Sequence, residues 1–277
     1  MKKPLVLSIQ DVSCLGQCSL TVALPIISAC GFETAILPTA VLSTHTGGFT
    51  GFAVEDLTGF MPRALAHWQR EGVKFDAICT GYLGSMEQID ITAEIFKSLL
   101  APGGKIYVDP AMADNGKLYP AFDMDYALAM KKLCSMADVV LPNLTEAAFL
   151  TGHEYKERFD ADETEELLRD LCDIGARATV ITGVNDLKGM TGAAVMENGK
   201  VEYYRHERLD CAYHGTGDIY SAAFVGAALR GKSLLRSAAI AADYTVECIK
   251  NTVGDDGHWY GVHFEEKLPK LLELMDN

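Results

Sequence analysis

The stretch Leu209-Asp210-Cys211-Ala212-Tyr213-His214-Gly215-Thr216-Gly217-Asp218-Ile219-Tyr220-Ser221-Ala222-Ala223-Phe224-Val225-Gly226 decides the reading of this chain. Its first half is a glycine-rich turn, and its second half is a run of small and apolar residues that reads as a helix. Glycines let backbone N–H groups converge on one point, and the start of a helix adds the positive end of its dipole. A phosphate fits there. Asp218 falls at the beginning of the helix, so its carboxylate can accept a proton from a hydroxyl attacking that phosphate. It can equally cap the helix, as Asp often does. Spacing alone leaves both readings open.

Upstream of this stretch, short β-rich runs alternate with amphipathic segments. Residues 4–9, 34–37, 75–80, 105–108, 138–141 and 178–182 read as strands, apolar enough to be covered on both faces. Residues 19–30, 55–70, 87–100, 125–134 and 162–174 read as helices between them. Such alternation predicts an α/β fold with a central, mostly parallel sheet and helices on both faces. The pattern changes at residues 192–196 and 200–204, which flank Glu197-Asn198-Gly199. The Asn-Gly pair favours a tight hairpin, so an antiparallel edge is expected. Three helices close the chain, over 217–229, 234–250 and 264–275.

The 277 residues, 49% of them hydrophobic, suffice for one large core, and no linker or repeat divides the chain, so 1–277 is expected to be a single domain. A net charge of −14 without a Lys/Arg cluster argues against nucleic acid as a partner. No apolar run approaches the roughly 18 residues that cross a bilayer, and no export signal is read at the N-terminus. The expectation is a soluble, cytoplasmic protein with no membrane partner. Cys14, Cys18, Cys30, Cys79, Cys134, Cys172, Cys211 and Cys248 are dispersed among strands and helices and read as reduced, buried thiols. Cys14 and Cys18 lack a second Cys/His pair with zinc spacing.

Residues Gly226-Ala227-Ala228-Leu229-Arg230-Gly231-Lys232-Ser233 match the literal P-loop pattern. A P-loop follows a strand and opens a helix, whereas Gly226 continues a helix already begun. Gly231 reads as that helix's stop and Ser233 as the cap of the next. Asp255-Asp256-Gly257-His258 reads as a turn rather than a metal site.

Gly215-Thr216-Gly217-Asp218 followed by a small-residue helix resembles the signature of the ribokinase superfamily. The resemblance extends along the chain. Ser8-Ile9-Gln10, Ser43-Thr44-His45-Thr46-Gly47, Thr80-Gly81-Tyr82-Leu83-Gly84-Ser85, Val108-Asp109-Pro110 and Pro142-Asn143-Leu144-Thr145-Glu146 occur in the order and approximate spacing of pyridoxal kinases. It implies a ribokinase-like fold and transfer of phosphate from ATP to a B6 vitamer. Asp218 would be the base, and the amides of Gly215, Thr216 and Gly217 the anion hole. The resemblance places Asn143 and Glu146 at the Mg–ATP phosphates, with Asp109 and Asp114 near the same cation and Asp109 and Glu146 as its carboxylates. Thr182 and Leu209 would border the nucleotide. Read from spacing alone, 142–146 is more readily a turn and helix cap. Thr46, His45 and Tyr82 would hold the pyridine ring, although a structurally bonded His and a loop Tyr are the commoner roles of such residues. Mg²⁺ is the expected cation, K⁺ an accessory one, and a homodimer the expected assembly. Alternatives kept are another hydroxyl substrate, hydroxymethylpyrimidine or a sugar, and a non-catalytic sensor. Cys211 precedes the anion loop, and some related kinases use a cysteine near the substrate aldehyde; a buried thiol is the plainer reading.

One departure concerns substrate choice. Pyridoxal kinases usually follow Ser-Ile-Gln with Ser-His, whereas this chain has Asp11-Val12. Either Asp11 meets a cationic substrate and favours pyridoxamine, or it turns outward or caps the helix that begins near Ser19.

Overall fold

The computed structural model describes residues 3–211 and 213–276. The chain alternates in the order β1 (Leu5–Ser13), α1 (Leu20–Ala29), β2 (Glu33–Leu42), β3 (Val54–Asp56), α2 (Met61–Arg70), β4 (Phe75–Thr80), α3 (Met86–Leu99) and β5 (Leu100–Val108). A small hairpin, β6 (Ala113–Asp114) and β7 (Lys117–Leu118), precedes α4 (Met124–Cys134), β8 (Val139–Val140), α5 (Leu144–Thr151) and α6 (Ala161–Asp173). Then come β9 (Ala178–Val184), β10 (Met190–Glu197), β11 (Lys200–Glu207), α7 (Thr216–Leu229), α8 (Leu234–Thr252) and α9 (Leu268–Asp276).

The sheet runs β11-β10-β9-β8-β5-β4-β1-β2-β3. Strands β2, β1, β4, β5, β8 and β9 are parallel, and β3, β10 and β11 add antiparallel edges. This is the expected ribokinase-like α/β class. Alternation within β1 separates two cores. Leu7 and Ile9 join α2 to α6 on one face, and Val6 joins α1, α7, α8 and α9 on the other. Asn198 and Gly199 both adopt positive φ, 53° and 76°, which is the turn an Asn-Gly hairpin requires.

Several elements differ from the sequence reading: β2 runs on to Leu42, β5 starts at Leu100, α5 stands where no helix is expected, and two helices start late. The helix expected from residue 55 starts at Met61, because Glu55 and Asp56 pair with β2 as the edge strand β3. Pro62, in the first turn of α2, marks the true start. The last predicted helix is divided: Glu265–Lys267 forms a 3₁₀ turn before α9.

The chain leaves β1 toward β2 on one side and returns through β4 and β5 on the other. Such a switch point opens a crevice at the carboxyl ends of the strands. Asp11, Thr80, Asp109, Asn143 and Thr182 all stand at or just beyond those ends.

Candidate active site

Gly215 is the N-cap of α7 at φ +79°, and a Cβ there would stand 1.8 Å from the Gln17 carbonyl oxygen. Only glycine fits. The Thr216 hydroxyl donates to the Tyr213 carbonyl at 3.1 Å and fixes the turn. At Gly217 an added Cβ meets no protein atom within 4 Å, so the turn presents an open cradle beside its amides. Asp218 does not cap α7, whose N-cap is Gly215; its half-buried carboxylate instead accepts from the backbone N–H of Ser19 on another loop. Burial, then the charges of Asp109 and Asp11, push its pKa up to about 7. A base poised near neutrality suits proton transfer at physiological pH.

Asp218 borders a cavity of about 330 Å³ that Asp11, His45, Thr46, Tyr82, Gly215 and His214 also line. Asp11 is only 4% exposed, and its carboxylate accepts from the Ser13 hydroxyl at 3.1 Å, with the Ser19 hydroxyl beside it. It therefore does not turn outward. Tyr82 packs on Phe122 with ring centroids 5.3 Å apart, and Phe122 stacks on Tyr126 at 3.8 Å. This gives the pocket one aromatic wall. His45 has both ring nitrogens engaged: Nδ1 accepts from the Gly47 N–H at 3.1 Å, and Nε2 meets the Tyr260 carbonyl at 2.7 Å. Nε2 thus carries the proton, and burial holds the imidazole below its usual pKa, so His45 is neutral. It contributes a ring surface rather than a free nitrogen, while Thr46 is exposed at the rim.

A second cavity, about 550 Å³, is lined by Asn143, Thr145, Thr182, Leu209 and Arg208, with Val246 and Ile249 supplying an apolar side. Asp114 lines both cavities and joins them. Asn143 and Glu146 form a reciprocal capping box at α5, Asn143 Oδ1 accepting from Glu146 N and Glu146 Oε2 from Asn143 N, each at 2.9 Å. They also do more than cap. Glu146, 2% exposed, accepts the Met112 N–H through Oε1 at 2.9 Å, and Asn143 Nδ2 donates to the Ala113 carbonyl at 2.8 Å. Together they pin the 111–114 segment, and hence Asp114, across the mouth of the site. Asp109 accepts from the Ser221 hydroxyl and from the Ala111 N–H at 3.1 Å.

Asp109, Glu146 and Asp218 are all pushed upward by burial, and Asp109 further raises both neighbours. No Lys or Arg lines the smaller cavity. Buried carboxylates without a compensating cation are costly, and hard oxygen donors of this kind suit a divalent ion completed by water and phosphate oxygens. Among the described residues no three His, Cys, Asp or Glu side chains form a metal site by themselves.

Cys211, read as a buried thiol, is instead half-buried in the wall of the larger cavity, away from the Asp11 pocket. The thiol that does line the smaller cavity is Cys18, pushed far up by burial and by Asp218 and Asp11. Sequence reasoning also passed over Ser221, Ser19 and the Tyr260 carbonyl. Ser221 had a signal, since it lies three residues after Asp218 on one helical face. The other two depend on long-range contacts.

The arrangement is that of a small-molecule kinase, and the comparisons agree. A phosphomethylpyrimidine kinase family model matches residues 24–262, and the chain belongs to that family. It is a kinase with the ribokinase-like α/β fold. Its relatives include a pyridoxine/pyridoxal/pyridoxamine kinase of Bordetella pertussis, 29% identical over 89% of each chain. Pyridoxal kinase from Lactobacillus plantarum superposes with a TM-score of 0.91 at 35% identity, over 99% of this chain and 98% of that one. A Bacteroides thetaiotaomicron protein, provisionally assigned as a phosphomethylpyrimidine kinase and crystallised with pyridoxal, superposes at 0.92 with 37% identity, over 98% and 96%.

Proposed function

We propose that this chain transfers the γ-phosphoryl group of ATP to the 5′-hydroxymethyl group of a B6 vitamer, forming pyridoxal 5′-phosphate or its counterparts in cytoplasmic salvage. The observation that carries this reading is Asp218, half-buried at the start of α7 where the smaller, aromatic-walled cavity meets the glycine turn, with its pKa near 7. A vitamer ring lies along Tyr82 and the His45 ring, with Thr46 at its edge. ATP occupies the larger cavity, its base toward Val246 and Ile249 and its phosphates toward Thr182, Asn143 and Arg208.

Phosphoryl transfer depends chiefly on positioning and on stabilising charge. Asp218 takes the hydroxyl proton as the oxygen attacks in line. The amides of Gly215, Thr216 and Gly217 receive the charge that develops on the transferred group. Asp109 and Glu146 would hold Mg²⁺ through water, and the ion would neutralise phosphate charge when bound. K⁺ would act as an accessory cation. The assembly proposed is a homodimer, which light scattering reads directly.

A second acceptor, hydroxymethylpyrimidine, is favoured by a relative, the hydroxymethylpyrimidine/phosphomethylpyrimidine kinase of Bacillus subtilis, 26% identical over 237 residues. Both readings are tested by supplying ATP and Mg²⁺ with pyridoxal, pyridoxine, pyridoxamine or hydroxymethylpyrimidine and identifying the phosphorylated product by mass. The expected result is 5′-phosphorylation of B6 vitamers with kcat/KM well above that for the pyrimidine. Turnover of the pyrimidine alone overturns the B6 reading.

A further inference from the structure

The register between β1 and β2 shifts opposite Asp11: Gln10 pairs with Pro38 and Val12 with Val41, so Thr39 and Ala40 both stand against one residue. A bulge of this kind bends the strand and re-aims side chains beside a site. Here it coincides with a carboxylate in the wall of the pocket that holds the base. Asp11 is 4% exposed, held by Ser13 and neighboured by Ser19, and close enough to Asp218 for each charge to bear on the site. Burial raises its pKa, and the hydroxyl donors of Ser19 and Ser13 work against that rise. The remaining titratable lining is Asp114, Cys18, Tyr82, Tyr119, His214 and the neutral His45, so no Lys or Arg answers it.

A buried carboxylate without a partner is costly unless something positive reaches it. That something has to come with the acceptor. On a B6 ring the 4-substituent is next to the hydroxymethyl group that must face Asp218, so an ammonium there lies on the side of the pocket that Asp11 shares with the base. The same negative lining opposes a phosphomonoester as acceptor, by like-charge repulsion and because no Lys or Arg lines the cavity to receive it.

Resting on the B6 reading above, we infer that Asp11 is a specificity-determining residue that selects a hydroxymethyl-heteroaromatic acceptor bearing an ammonium, pyridoxamine over pyridoxine, and excludes an already phosphorylated acceptor. The chain would therefore perform one phosphorylation and not the second step that its family's description names. Charge-assisted hydrogen bonds set the scale, roughly a 10-fold or larger preference.

The test measures kcat and KM of wild type, Asp11→Asn and Asp11→Ser for pyridoxamine, pyridoxine and hydroxymethylpyrimidine phosphate. Wild type is expected to favour pyridoxamine by about 10-fold or more in kcat/KM, and the phosphate ester is expected not to turn over. Both variants should lower the pyridoxamine-to-pyridoxine ratio by about 10-fold, mainly through the KM for the amine. Wild type decides even where a variant fails to fold. A wild-type ratio at or below one, or turnover of the phosphate ester, overturns the inference while the B6 function stands. Absence of any B6 turnover overturns both.

Discussion

Asp218 shows what one residue's surroundings do to its chemistry. From sequence it could cap a helix or take a proton; in the fold Gly215 occupies the cap and Asp218 faces the pocket, accepting the Ser19 N–H. With a pKa near 7 the base is protonated, and idle, in acid. The rate with saturating ATP, as kcat/KM for the vitamer, should therefore fall as pH drops below about 7, with unit slope on a log plot. A flat profile from pH 5 to 8 would exclude Asp218 as the titrating base. Lys232 provides the opposite case. It lies just after α7, where Gly231 at φ +85° stops the helix and the Ser233 hydroxyl caps α8 by accepting the Arg236 N–H at 3.2 Å. Lys232→Ala should leave kcat within about threefold of wild type, since Lys232 is half-buried and lines neither cavity, and substitutions away from a site change little. Among residues, Asp218, Asn143 and Glu146 were legible because each belongs to a local pattern. The engagement of both His45 nitrogens was not, because one partner, the Tyr260 carbonyl, lies 215 residues away.

At the scale of elements, the turn into α7 separates two glycines that look alike in sequence. Gly215 is required by its positive φ and by the Gln17 carbonyl, whereas Gly217 is helical with open space beside it. Gly215→Ala should lower Tm sharply, by about 2 kcal/mol or more of stability, as expected for a strained backbone and a close contact. Gly217→Ala should hold or raise Tm, since alanine favours a helix by about 0.5–1 kcal/mol, while cutting kcat by filling the cradle. Thermal melts and initial rates on the two variants separate these outcomes. Helix α7 and the β10–β11 hairpin were readable because glycine and Asn-Gly signals fix their ends. Strand β3 was not, because its three exposed residues carry no alternation and owe their conformation to pairing with β2.

For the molecule as a whole, the parallel sheet gathers carboxylates from β1, the ends of β5 and β8, and α7 into one crevice, and burial raises the pKa of Asp218, Glu146 and Asp109. A carboxylate with a raised folded pKa binds more protons folded than unfolded, so its stabilising contribution is lost as pH rises through the folded value. The lowered imidazoles of His45 and His258 oppose this only at the acid end of the window between pH 6.5 and 8, where their unfolded counterparts still lose protons, while the carboxylates act across it. The Tm of the ligand-free protein should therefore fall across that window, and Mg²⁺ with ATP should raise it more at pH 8 than at pH 6.5; a rising Tm without ligand would contradict the electrostatics. The alternation that yields this crevice was plain in the sequence, whereas the joining of two cavities at Asp114 emerges only when loops from distant strands meet. The central claim is that Asp218 is the base for phosphoryl transfer to a B6 vitamer. It is tested most directly by measuring kcat for Asp218→Asn alongside the binding of ATP and vitamer by calorimetry. The account predicts retained binding of both with kcat reduced by about 10²–10⁴, and turnover near the wild-type rate would contradict it.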